Sequence, residues 1–119
     1  MLKTKHFIVK KSKIAGLGLF ARRTLFNGES LGHVAIRRIE KDNHAHCCWF
    51  RIKRGKIVSE KTVGSKWEPF LFTNIFAYMN HANKPNCVFI EGMMQMYSVK
   101  KIRKGTELTW HYGDDWEKP

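Results

Sequence analysis

Cysteine is scarce: Cys47, Cys48 and Cys87 are the only three in 119 residues. Three cysteines, two of them adjacent, cannot make a disulfide framework. That usage suits a reducing compartment, so an intracellular protein is expected. No apolar run approaches the roughly 20 residues needed to span a bilayer, and no membrane partner is expected. The basic stretch 1–13 lacks an apolar h-region and a small-residue cleavage site, so no secretory signal is expected. Repeats, linkers and low-complexity stretches are also missing. Acidic residues are few: ten Asp/Glu stand against 22 Lys/Arg, for a net charge of +12.

What is present is enough for one domain and too little for two. A 43% hydrophobic fraction with 13% aromatics supports a packed core and excludes disorder. The charge is uneven. Residues 1–59 carry 14 Lys/Arg against three acids, whereas 60–119 carry 8 against seven. Four of the ten acids (Glu107, Asp114, Asp115 and Glu117) lie in the last 13 residues. The basic first half fits a nearby polyanion, most simply nucleic acid, or else a plain solvated surface.

Strand signals dominate the chain. His6–Val9 and Leu19–Ala21 are short apolar runs separated by Gly16-Leu17-Gly18. Asn27-Gly28 and Lys104-Gly105 are turn signals. Residues 30–39 read as extended and 60–68 as loop. Two hairpins are expected: 47–52 with 56–59 around Arg54-Gly55, and 87–90 with 94–99 around Glu91-Gly92. Residues 70–79 fit a short helix or an irregular apolar segment, and 80–86 reads as loop. Leu108–Tyr112 is strand-like. The sum is a mainly β domain of many short strands.

Four stretches have the residue types that carry chemistry. Gly16-Leu17-Gly18 lacks the third glycine and following helix of a dinucleotide site, and a glycine pair is often only a turn. His44-Ala45-His46-Cys47-Cys48 contains metal-ligand types. Its adjacent cysteines would point to opposite faces of a strand, however, and zinc-finger spacing is missing, so no metal is expected. Asn80-His81 with Pro85-Asn86 forms an amide-rich loop able to order itself and present backbone groups. Glu107–Gly113 by itself reads as an aromatic strand.

Taken in order, three of these change the reading. A-G-L-G-L-F-A near the start, Y-M-N-H-A-N-K-P-N-C in the middle and K-G-T-E-L-T-W-H-Y-G near the end resemble the motifs of SET-domain protein lysine methyltransferases. The resemblance covers about residues 6–113 of a single domain, 1–119. It looks like the minimal stand-alone form known in large DNA viruses and some bacteria. It implies a SET-domain β-clip of short curved sheets with a C-terminal pseudoknot, an exception to the usual avoidance of threading.

The resemblance also implies S-adenosylmethionine as methyl donor, no metal, and a protein lysine as acceptor, often in a histone tail or nucleosome. Tyr112 takes the place of the catalytic tyrosine. Gly16, Leu17, Gly18, Asn80, His81 and Tyr112 are the expected cofactor-binding residues. Tyr78, Tyr97, Trp110 and Trp116 are the expected substrate channel. Asn86 and Glu107 are expected to stabilise the loop and the threaded segment.

The chain departs from the family pattern in places. Trp110 stands where Phe or Tyr is usual, which implies mono- or dimethylation. His111 stands where Asp is common, and Ala77 where Arg is common. The cysteine-rich zinc segment that often follows the domain has no counterpart through Pro119, so Trp116 or a second subunit is expected to close the channel, and a homodimer is expected. Asp114, Asp115 and Glu117 are expected to receive a basic peptide, while the basic N-terminal half contacts nucleic acid. A viral source would place the protein in the host nucleus. The alternative reading is a SET-like chromatin or nucleic-acid binding module without catalysis.

Overall fold

The structure is a computed structural model. It describes residues 2–39, 48–54, 56–58 and 63–111, without the side chains of residues 48, 49 and 91. The expectations placed on Tyr112, Trp116, the acids at 114–117 and the 44–47 stretch lie outside the described residues.

Eleven short strands make three sheets among the described residues. The first sheet begins with a hairpin of β1 (Phe7–Lys11) and β2 (Leu17–Ala21), in antiparallel register with Phe7 opposite Ala21. Alternation puts Phe7, Val9, Leu19 and Ala21 into the core. The chain then turns at Gly28, whose φ of 80° favours glycine.

Residues 30–39 are extended, as the sequence suggests, but they serve two sheets. β3 (Ser30–His33) pairs with β10 (Gln95–Ser98), which pairs in turn with β9 (Cys87–Ile90). β4 (Ile36–Arg38) pairs with β7 (Lys66–Phe72). The crossing point is Val34, fully buried, whose N–H donates to the Met94 carbonyl at 2.8 Å. The sheet containing β4 and β7 is completed by the hairpin β5 (Cys48–Lys53) and β6 (Lys56–Val58). Both expected hairpins are therefore present.

β7 starts at Lys66, inside a stretch whose polarity reads as loop. Its first residues put Lys66 and Glu68 on the Phe70 side of the sheet and Trp67 on the other, where Arg51 lies over the Trp67 ring at 5.0 Å. The strand ends at Phe72, and a 3-10 turn follows over Ile75–Tyr78, so the 70–79 segment is half strand and half turn. Asn74 caps that turn, its side chain accepting from the Phe76 N–H, and it donates to the His33 carbonyl at 2.8 Å.

β8 (Asn80–His81) and β11 (Glu107–Trp110) complete the first sheet, in the order β1-β2-β11-β8. β11 is antiparallel to β2 and parallel to β8, so the closing strand is inserted between two earlier ones. Asn80 and His81, expected in a loop, are thus held in a two-residue strand.

The core where the sheets meet is aromatic. Trp110 stacks on Phe72 with centroids 4.9 Å apart and meets Phe89 edge-on at 6.0 Å. Phe50 packs against Phe70 at 5.7 Å and Phe89 at 5.6 Å. One ring set thereby joins all three sheets. Each such pair is worth about 0.5–1.5 kcal/mol beyond the area it buries.

Candidate functional site

The site is built around one carboxylate. Glu107 opens β11 opposite Phe20 of β2. Its Oε1 and Oε2 receive the Ser12 hydroxyl at 2.7 and 2.9 Å. Oε2 also receives Asn80 Nδ2 at 2.8 Å. Ser12 Oγ in turn accepts the Ile14 N–H at 2.9 Å, and the Ser12 N–H donates to the Gly16 carbonyl at 2.8 Å. The loop 12–16 is therefore closed on itself and tied to β11.

Asn80, only 3% exposed, sits beneath this loop. Besides Glu107, its amide lies 3.1 Å from Ser12 Oγ, the Ala15 carbonyl and the Leu17 carbonyl. Two amide hydrogens serve these four acceptors. Leaving a buried polar group unpaired costs about 1–3 kcal/mol, so the arrangement fixes the loop firmly. The sequence reading gives Asn80 to the cofactor. The structure commits its side chain to positioning the glycine loop.

The two glycines do different work. A Cβ on Gly18 would lie 2.9 Å from Glu107 Cδ and 3.0 Å from Ser12 Cβ, so Gly18 makes room for the carboxylate. Gly16 has φ +45° and open space where a Cβ would go. Beside it Ile14 is 52% and Leu17 49% exposed. An apolar, open loop edge held rigid from beneath suits a ligand with a flat apolar part, and on that ground the residues present fit a nucleoside-type methyl donor.

Asn86 holds the other side of β11. Its Nδ2 donates to the Glu107 carbonyl at 2.9 Å, and its Oδ1 accepts the Thr109 N–H at 2.8 Å. One side chain thus satisfies two backbone groups of β11 as a neighbouring strand would. The Ala82 N–H donates to the Trp110 carbonyl at 3.2 Å. Next to Asn86, the Cys87 thiol is pushed up to about 12, chiefly by burial.

His81 meets His111 edge to face at 4.6 Å and lies 3.0 Å from Asn83 Oδ1 through Nε2. The substitution at 111 therefore builds a histidine pair at the end of β8 and β11. Trp110 is 5% exposed within the aromatic core. Tyr78 is half-buried against the same core. Tyr97 lies on the outer face of the β9–β10 pair, its hydroxyl 3.8 Å from Met93 Sδ, and is not brought to the Glu107 knot. Among the described residues no group of three His, Cys, Asp or Glu could hold a metal. Ser12 is the residue that sequence reasoning misses. Its only signal is a small hydroxyl four residues before the first glycine.

A closing strand slotted beside an Asn-His strand, and a glycine loop fastened to both through one acid, define the SET type of β fold. A family model described as SET domain matches residues 16–113, and the chain belongs to that family, whose members are protein lysine methyltransferases. Among solved structures it resembles a Plasmodium falciparum protein described as a candidate histone methyltransferase. That pair has 21% identity and a TM-score of 0.55, covering 98% of this chain and 100% of the other. It also resembles the methyltransferase domain of human PR domain-containing protein 2. Here the identity is 16% and the TM-score 0.67, over 95% of this chain and 81% of that one. At these identities the likeness concerns the fold. No curated protein matches the sequence.

Proposed function

We propose that this chain is an S-adenosylmethionine-dependent protein lysine N-methyltransferase that modifies a histone-tail lysine and adds one or two methyl groups. The observation that carries the reading is the Glu107 knot, in which Asn80 joins all three motif segments by its bonds to the Ala15 and Leu17 carbonyls and to Glu107 of β11. Gly16, Leu17 and His81 would hold the donor, and Gly18 and Asn80 would hold the loop that does so. When bound, S-adenosylmethionine supplies an electrophilic methyl group.

The chain's own part is to align, dry and neutralise the acceptor. A free lysine has a pKa of about 10.4, so an uncharged amine at pH 7 costs roughly 4–5 kcal/mol. Apolar surroundings lower that cost by disfavouring the ammonium form. Tyr112 follows Trp110 and His111 directly and would direct its phenol at the amine. Alignment of this kind contributes through orientation rather than proton transfer.

Trp110 supports low multiplicity, since a nearly buried indole stacked on Phe72 leaves little slack for a bulkier product. The acids at 114, 115 and 117 would attract a Lys/Arg-rich tail towards an otherwise basic protein. The reading further carries an intracellular location, a nucleic-acid contact and a second subunit that closes the channel. Incubation with labelled donor and nucleosomes, followed by mass spectrometry, tests the core of it. Mono- or dimethyl-lysine on a histone peptide is expected, and Tyr112→Phe should reduce transfer at least 100-fold or so. Donor turnover with no lysine product, or trimethyl-lysine as the main product, would contradict the respective parts.

A further inference from the structure

The sheet of β4, β7, β5 and β6 has two unlike faces. Phe50, Phe70 and Phe72 point to the core. Register then assigns the other face: Arg37 with Leu71, Trp67 with Arg51 and Val58, and Lys53 with Lys56. Four cations thus share one outward surface. The single acid among the described residues of these strands, Glu68, sits opposite Phe50 on the other face, where it pairs with Arg38 at 2.7 Å. The outward face has no acid of its own among the described residues.

One pair on that face sets like charges at facing positions. Lys53 and Lys56 stand directly opposite one another in the β5–β6 hairpin. Like charges in that arrangement are destabilising. An anion bound to this face would offset the like charge of the two positions. The neighbouring Trp67 is 39% exposed, and Arg51 lies over its ring at 5.0 Å. The guanidinium therefore covers the ring that would otherwise receive a stacked base. What the surface offers is a fixed array of positive charge, which suits phosphates displayed on the outside of a duplex better than the open bases of a single strand.

We propose that the outer face of this four-stranded sheet is a docking surface for the phosphate backbone of double-stranded DNA. The interaction reads charge and not sequence, because the described side chains of this face present cations, and the Trp67 ring among them is covered by Arg51. It does not rest on the methyl-transfer reading, since binding needs neither donor nor acceptor lysine.

The test is fluorescence anisotropy of a labelled 20-base-pair duplex titrated with the full chain over a range of salt. Four phosphate contacts give a plot of log affinity against log salt with a slope of about −3.5. Lys53→Glu should weaken binding about tenfold and flatten that slope by about one contact's worth. The same change should raise the melting temperature by about 2–4 °C, because it turns a repulsive cross-strand pair into an attractive one. Loss of binding with gain of stability is a combination that damaged folding cannot give. A control double variant, Lys100→Glu with Lys101→Glu on the exposed turn before β11, should keep most of the affinity. Binding unchanged by Lys53→Glu, equal loss in the control, or tighter binding of a single strand than of the duplex would each overturn the proposal.

Discussion

At the scale of single residues, the account turns on steric room and on where protons sit. Gly18 is glycine because Glu107 fills the space beside it. Gly18→Ala should cost about 1–3 kcal/mol in denaturant unfolding, and Glu107→Asp in the same chain should recover part of the loss, since the shorter acid draws back. Strict additivity of the two changes would count against the contact. Cys87 gives a pH prediction. Its thiol is neutral in the fold up to about 12, against an ordinary value of 9.0. A group raised on folding stabilises the fold fully below its unfolded value and loses that contribution as pH climbs towards the folded one. Stability should fall between about pH 9 and 12, and Cys87→Ser should flatten that limb in a pH series of thermal melts. A limb unchanged by Cys87→Ser would assign it to other groups.

Elements show how much was legible and why. Runs that bury alternate residues, such as 7–11 and 17–21, read directly as strands. Both hairpins follow from their turn residues. The misread segments share a cause, because their structure is set by partners distant in sequence. β7 begins in polar residues that are a strand because β5 lies beside them. β8 is only two residues long and is a strand only because β11 lies beside it. Residues 30–39 carry no mark of the change of sheet at Val34, which depends on Met94. Of the candidate site, Asn80, Glu107 and the glycines were legible as important, but Asn80's role was not, because its acceptors lie 65 and 63 residues away in Ala15 and Leu17. The turn before β3 is held differently. Glu29 accepts from Arg23 and from the Phe26 N–H at 3.1 Å, and both hold its carboxyl below the usual range. Such a group stabilises at neutral pH and loses its contribution as pH falls through its lowered pKa. Both side chains are partly exposed, so Glu29→Gln should cost less than about 1 kcal/mol at pH 7 and should leave acid unfolding less steep.

At the scale of the molecule, charge is distributed by function in this account. Four cations of the first half, Arg37, Arg51, Lys53 and Lys56, share one sheet face, and the role proposed for the acids beyond Tyr112 is the capture of a basic tail. Reversing Asp114 and Asp115 to lysine should raise KM for a histone-tail peptide several-fold with little change in kcat. An unchanged KM would remove those acids from substrate capture.

The proposed seat of the nucleoside-type methyl donor is the glycine loop fastened by Asn80 and Glu107. Isothermal titration with S-adenosylhomocysteine, the demethylated product, tests this without requiring an acceptor. The account predicts saturable binding at one site per chain. Asn80→Ala should weaken that binding at least tenfold or so, in protein whose circular dichroism spectrum still shows the folded sheets. No binding to the unaltered chain, or equal binding to the folded Asn80→Ala variant, would contradict it.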